Sequence, residues 1–338
     1  MCGKVSCLRK FSCQQYNFSK YKEKGWFVNK LFWSISFSFP LGFIFPWDII
    51  PRLHEVLASR SANMAAIKTQ LAGCPLESCP EAYSRSLKCF KASLEPGKHP
   101  TTECIESHVP TMIRAYIGEL LEDHSPFRIL SVGSGNGTND LSFIEILSKI
   151  CREKVEKCHF FQRTIEPDRN VLQIFQAKAE DLPESLKSRA DIEFEWLPMT
   201  YQEYVKQKKV DIMFDLVHFF HSLYFLDIEE ALKHCYEREL GTKGVIVCAV
   251  RTEKSALVRY GRTFSCQGLI LNHGFHYSSK DVTDVAKKNG WKYVECPGEI
   301  GKPCDITAVF DQSSVQGDIL LDFLTQWVDV RVTASQEN

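Results

Sequence analysis

The residues best placed to do chemistry begin with three glycines spaced two apart. Gly133, Gly135 and Gly137, with Ser134 inside the turn, follow directly on the apolar, β-rich run FRILSV (Phe127–Val132). They precede Thr138, Asn139 and Asp140, which can cap a helix that Leu141, Ile144, Leu147 and Ile150 continue at helical spacing. In a strand–glycine turn–helix unit the backbone bends sharply and meets a ligand with no Cβ in the way. The next apolar run, His159–Glu166, ends in an acid followed by Pro167. A carboxylate there can accept hydrogen bonds from both hydroxyls of a ribose. A dinucleotide fingerprint asks for glycine where this chain has Thr138, which counts against a nicotinamide oxidoreductase. The second chemical group is DLVHFFHSLYFL (Asp215–Leu226). Its His221 can donate or accept a hydrogen bond and can take a proton near neutral pH. His218 reads as a core histidine.

These groups need a scaffold that brings strand ends together. After FRILSV and HFFQRTIE come DIEFEWLPMT (Asp191–Thr200), the strand opening at Phe214, and GTKGVIVCAV (Gly241–Val250), with helical patterns between them, EEALKHCYEREL (Glu229–Leu240) among them. Strands alternating with helices imply an α/β fold with a doubly wound, mostly parallel, Rossmann-like sheet. Ligands then sit at the carboxyl ends of the strands, near the switch point. That singles out the glycine turn, Glu166, Thr200 and Tyr201, Phe219 to Tyr224, and Arg251 onward. Two helices are expected before the first strong strand. One spans Glu81–Leu94, with Tyr83, Leu87 and Phe90 on one face. The other spans about Thr102 to Leu121, where Pro110 should kink or divide it. They can fold over the sheet as a helical lid.

Length and composition bound the rest. The 338 residues suit two domains, or one large domain with extensions, and 44% hydrophobic against 25% charged residues is an ordinary globular balance. A formal net charge of −1 gives no basic excess for tracking nucleic acid. The 14 cysteines form no Cys-x-x-Cys pair and no zinc spacing, so most read as small buried thiols of a reducing cytosol. Leu31 to Trp47 carries no charge and follows a basic flank. It reads as an extension without a fold role, with Met64 as an alternative start; a membrane anchor and a packed segment are the other readings. Membrane contact is expected only if that segment is an anchor.

The G-x-G-x-G spacing is the usual pattern of S-adenosylmethionine-dependent methyltransferases. From about Tyr83 to Gln326 the chain also resembles the histamine N-methyltransferase family. ILSVGSGNG, IEP at Glu166, FEW with TYQEY, DLVHFFHSLYF, YGRTF, HYSSKDVT and GDILLDFLT occur in consistent order. The resemblance implies a cytoplasmic, monomeric enzyme that moves a methyl group from S-adenosylmethionine to an imidazole nitrogen of a small amine. It implies cofactor contacts at Gly133, Ser134, Gly135, Gly137, Glu166, Thr200, Tyr201 and Phe220. The substrate positions are Glu95, His221, Tyr224, Phe225, Glu253, Phe264 and Tyr277, with His221 catalytic where the family carries a glutamine. Glu253 and Leu257 stand where the family has pocket tryptophans, and the family's final strand has no counterpart before Asn338. No metal is needed, because a sulfonium is already a good leaving group. The expected division is an extension over 1–78, a lid over 79–123, a cofactor-binding core over 124–250 and a substrate side over 251–338. The alternatives are a catalytically silent cofactor-binding relative and a methyltransferase of a different small amine.

Overall fold

The computed structural model describes residues 31–37, 70–76, 79–94, 100–116, 126–207, 212–255, 258, 262, 277–298, 305, 307–311, 313–325 and 327–333. Its strands are β1 (Leu31–Phe37), β2 (Gln70–Pro75), β3 (Phe127–Val132), β4 (Cys158–Ile165), β5 (Ala190–Leu197), β6 (Phe214–Phe220), β7 (Leu240–Arg251), β8 (Tyr293–Gly298) and β9 (Trp327–Thr333). The α-helices are α1 (Pro80–Ala92), α2 (Pro100–Tyr116), α3 (Thr138–Cys151), α4 (Arg169–Glu180), α5 (Glu184–Lys187), α6 (Tyr201–Gln207), α7 (Ile228–His234), α8 (Ser279–Lys288) and α9 (Val315–Thr325).

Seven strands form one sheet in the order β5-β4-β3-β6-β7-β1-β8, and every neighbouring pair in it is parallel. The order reverses between β3 and β6, so the turns that follow these two strands flank the switch point. A parallel sheet must be covered on both faces, and two apolar clusters do this. One packs Phe143, Ile144, Leu147 and Ile150 of α3 against Phe127, Ile129, Phe160, Leu216 and Val247. The other packs Tyr201, Tyr204, Ile228, Leu232, Val282 and Ala286 against Leu130, Val217, Phe219 and Ile246. Each fully buried side chain of this size contributes about 1.5–3 kcal/mol.

Four features go beyond what the sequence led one to expect. The charge-free N-terminal run, read as an extension or anchor, enters the sheet over Leu31–Phe37. It lies between β7 and β8, with Phe37 opposite both Arg251 and Gly298. A parallel strand at the centre of a sheet has the same continuous apolar texture as a membrane segment, so composition alone does not separate them. The remainder, 38–47, lies outside the described residues. Pro110 does not divide its helix, and α2 runs from Pro100 to Tyr116. Ile105 and Val109 are fully buried in the first cluster, and this packing outweighs the local cost of the proline. Of the cysteines, mostly expected as thiols, Cys151 at the end of α3 is bonded to Cys158 at the start of β4, whereas Cys235 and Cys248 are buried thiols. Finally, the C-terminal strand β9 pairs antiparallel with β2 in a separate two-stranded sheet.

The two helices ahead of the sheet are anchored differently. α1 stacks Phe90 on Phe323 of α9, ring centroids 4.5 Å apart, and α2 lies on α3 through the first core cluster. Among the described residues no helix is long and apolar enough to cross a membrane.

Candidate functional site

The turn after β3 is built from positive-φ glycines. Gly137, at φ +72°, sits so close over Phe175 that a Cβ would fall 2.0 Å from its ring. Gly135, at φ +57°, faces open space, with nothing within 4 Å of a would-be Cβ among the described residues. One glycine serves packing and the other leaves room for a ligand. The Gly133 N–H is tied to the Ile165 carbonyl at 2.8 Å, which binds the turn to the end of β4. Glu166 follows at that end. Its carboxylate accepts from the Gly135 N–H at 2.8 Å and from the Asp168 N–H at 3.0 Å. Burial pushes the Glu166 carboxyl above its ordinary range, and the two backbone donors, Asp168 then Gly135, pull against that shift. The Ser134 hydroxyl oxygen is buried with no hydrogen-bond partner among the described residues. An open glycine face, an orphaned hydroxyl and a buried carboxylate suit the carboxylate-and-amine tail and the ribose of a nucleoside-type cofactor.

Beneath the turn lies a buried polar cluster. Asp140 accepts from Ser131 Oγ at 2.5 Å and from Gln162 Nε2 at 3.0 Å. His218 Nε2 stands 3.5 Å from the same Asp140 oxygen. Burial raises Asp140 to about 7 and lowers His218 to about 3. Burial thus favours the neutral form of each, and the contact is not a true ion pair. His218 stacks on Phe220 at 4.3 Å, which agrees with its reading as a core histidine.

On the other side of the switch point, His221 caps β6 at φ +58°, and it is the one non-glycine residue with positive φ among those described. Strain of that kind persists only where surrounding contacts hold it. Three contacts do so here. The His221 N–H donates to the Ala249 carbonyl at 3.0 Å. Its Nε2 meets Thr101 Oγ1 at 2.6 Å and its Nδ1 meets the Tyr224 hydroxyl at 3.2 Å. The Tyr224 hydroxyl in turn accepts from the Arg251 backbone N–H at 2.7 Å. The Arg251 guanidinium lies over the Tyr224 ring, 4.4 Å from its centroid. Tyr83 of α1 approaches from above, edge-on to Phe225 at 5.9 Å. Burial pushes its hydroxyl up to about 12, with Arg251 pulling it down and Glu166 raising it further. Tyr83 therefore lies within the fields of both halves of the site.

The expected residues divide accordingly. Gly133, Ser134, Gly135, Gly137 and Glu166 meet in one cradle, and His221, Tyr224 and Phe225 meet beside it, with Phe225 45% exposed at the rim. Phe220 is buried against Phe143 at 5.3 Å on the first cluster's face. Thr200 caps α6. Its N–H and hydroxyl both donate to Glu203 Oε2, at 2.7 and 2.9 Å. Tyr201, expected at the cofactor, turns its ring into the core instead and sets its hydroxyl on His234 Nδ1 at 2.9 Å and Cys235 Sγ at 3.0 Å. The reason is the burial of Tyr201 and Tyr204 on one face of α6. Glu253 is ion-paired with Arg262 at 3.0 Å. Tyr277 packs on the second cluster, where burial raises its hydroxyl and Asp227 and Asp281 add to the shift. Glu95 and Phe264 lie outside the described residues. Among those, no cluster of His, Cys, Asp and Glu is arranged to hold a metal.

Sequence reasoning missed Thr101, Tyr83 as a site residue, and the place of the Arg251 guanidinium. Arg251 carried a signal, since it directly ends a strand. Tyr83 looked like one more apolar position of an amphipathic helix, and Thr101 carried no local signal.

No protein-family model matches the chain. Among curated proteins it resembles histamine N-methyltransferases. The one from Bos taurus is 26% identical over 260 residues, covering 75% of this chain and 83% of that one. The one from Danio rerio is 24% identical over 256 residues, with the same shares. Among solved structures, an arsenic(III) S-adenosylmethionine methyltransferase from Chlamydomonas reinhardtii is 18% identical, covers 57% of this chain and 62% of that one, and superposes with a TM-score of only 0.32.

Proposed function

We propose that this chain is an S-adenosylmethionine-dependent N-methyltransferase whose acceptor is a small amine of the histamine type, methylated on an imidazole nitrogen. The observation that carries the reading is the pairing at the switch point. A glycine turn backed by Glu166 ends one strand, and a strained His221 clamped between two hydroxyls ends the next. Similarity to histamine N-methyltransferases over three quarters of the chain points the same way. In this reading residues 79–123 form the lid, 124–250 the cofactor core and 251–338 the substrate side, and the protein works as a cytoplasmic monomer.

When bound, S-adenosylmethionine supplies a methyl group on a positively charged sulfur. The chain's own work is alignment and handling of one proton. Glu166 accepts from the ribose hydroxyls, and the open side of Gly135 and the Ser134 hydroxyl receive the rest of the cofactor. As the acceptor binds, His221 exchanges one of its two hydroxyl partners for the acceptor's imidazole N–H, so that the other imidazole nitrogen's lone pair faces the methyl, and it takes the proton that the acceptor sheds. Thr101 and Tyr224 can each donate or accept, so the ring can carry its proton on either nitrogen. Tyr83, Tyr224 and Phe225 keep water from the reacting atoms.

The test is methyl transfer by the full-length chain from S-adenosylmethionine to histamine and related imidazole amines, read by mass spectrometry. Product on an imidazole nitrogen, lost in His221→Ala, is the expected result. Cofactor binding without product from any acceptor would identify a silent relative and end the reading.

A further inference from the structure

Two buried acids stand at the cofactor cradle, and no base stands with them. Asp140, 1% exposed, lies in the first turn of α3, just past the glycine turn. Ser131 of β3 and Gln162 of β4 both donate to its Oδ1, so this carboxylate joins the two strands that lead to the glycine turn and to Glu166. Burial opposes its charge most. Ser131, Gln162 and its own N–H favour the charge, and Glu166 opposes it as a like charge; no lysine or arginine is among these groups. His218 supplies no counter-charge, because burial lowers it to about 3, and neither of its ring nitrogens has a hydrogen-bond partner among the described residues. Glu166 is likewise eased by two backbone N–H groups and by no lysine or arginine. A buried carboxylate needs donors and a cation to offset its desolvation. Here the protein supplies donors alone. The cation that comes to this cradle is the cofactor's sulfonium, which has no N–H or O–H and is favoured only through the field around it. Asp140 also offsets the positive end of the α3 dipole, which would otherwise oppose that cation.

We propose that Asp140 is an electrostatic positioning residue: through the turn it underlies, its carboxylate makes the site hold S-adenosylmethionine more tightly than S-adenosylhomocysteine, the neutral thioether left after transfer. The inference rests on the cofactor assignment within the methyl-transfer reading and is independent of the acceptor. It gives the buried cluster a part in turnover, because the spent cofactor is released more readily than the fresh one is. The discrimination depends on pH. Asp140 has its midpoint at about 7, so it is neutral below and charged above, and the preference for the sulfonium rises with pH through that midpoint and then levels off. Of the titratable groups facing Asp140, His218 from β6 stays neutral over this range. Glu166 at the end of β4 is the other; it serves the ribose, which both ligands share, so its effect largely cancels from their ratio.

Titration of the full-length chain with each of the two ligands, at about pH 6 and at about pH 8, tests it. The comparison is with Asp140→Asn, which keeps an acceptor oxygen for Ser131 and Gln162 but carries no charge at either pH. The ratio of the S-adenosylhomocysteine Kd to the S-adenosylmethionine Kd should be about five- to tenfold higher in the unaltered protein at the upper pH and nearly equal in the two proteins at the lower. Ionisations of the ligands themselves are common to both proteins and drop out of this comparison. Ratios that agree at both pH values would overturn the proposal and leave the cofactor reading standing. Binding of neither ligand would overturn both. If Asp140→Asn does not fold, Ser131→Ala decides. It removes a donor that favours the charged form, so the rise in the ratio must move to higher pH, and an unmoved rise overturns the proposal.

Discussion

Two glycines in one turn face different physical demands, although a pattern search treats them alike. At Gly137 a methyl group would collide with the Phe175 ring at 2.0 Å, whereas at Gly135 it would meet nothing within 4 Å. Both have positive φ, which costs a non-glycine residue on the order of 1–2 kcal/mol. Gly137→Ala should therefore lower the thermal midpoint well beyond that backbone cost. Gly135→Ala should cost no more than that backbone term in stability and weaken S-adenosylmethionine binding about tenfold or more, by filling the ligand's space. Thermal unfolding and cofactor titration of the two variants side by side separate packing from binding. Equal loss of stability with equal retention of cofactor would contradict the assignment. At the same scale, Glu166 was legible as the acid that ends its strand, while its two backbone donors, Gly135 and Asp168, come from the fold around it. Thr101 gained its place only from a neighbour distant in the chain.

At the scale of the element, α2 carries the main consequence. Two adjacent threonines at its N-terminal end bridge the site: Thr101 to His221, and Thr102 Oγ1 to Asn139 Oδ1 at 3.2 Å, just past the glycine turn. The helix thus fastens over both halves at once, while Ile105 and Val109 fix its far side in the core. Thr101→Val keeps the volume and removes the hydroxyl. The expected outcome is a fall in kcat/KM of about tenfold with cofactor affinity unchanged, as His221 loses one side of its clamp. Unchanged kinetics in Thr101→Val would show that His221 is held without the helix. The sequence predicted helices here and gave their apolar faces. It did not give the contact between a helix terminus and a strand end, because amphipathic spacing names a buried face without naming what covers it.

For the whole molecule, the N-terminal segment matters most. β1 is the only strand joining β7 to β8 among the described residues, and its carboxyl end lies beside Arg251 at the edge where the site is built. Deleting residues 1–63 should therefore split the sheet. The expected result is loss of the cooperative thermal transition, or a much lowered midpoint, together with loss of cofactor binding, checked by circular dichroism melting and ligand titration. A truncated chain that melts and binds like the full-length protein would remove β1 from the fold. The Cys151–Cys158 bond is likewise a feature of the assembled molecule. It ties the end of one helix to the start of the next strand, and nothing in the cysteine spacing singles it out.

The sequence alone determined what is local: the strand, turn and helix around Gly133 to Gly137, the acid at the end of the next strand, and the alternation that makes a parallel sheet. These are readable because each depends on residues adjacent in the chain, through backbone freedom, periodicity and capping. The tertiary structure decided which side chains meet across long separations. It set Thr101 on His221, placed the Arg251 guanidinium over Tyr224, turned Tyr201 into the core and brought an apolar N-terminal run into the sheet between β7 and β8. Periodicity and composition fix how much apolar surface a segment must bury. The closing of the chain on itself selects the partner.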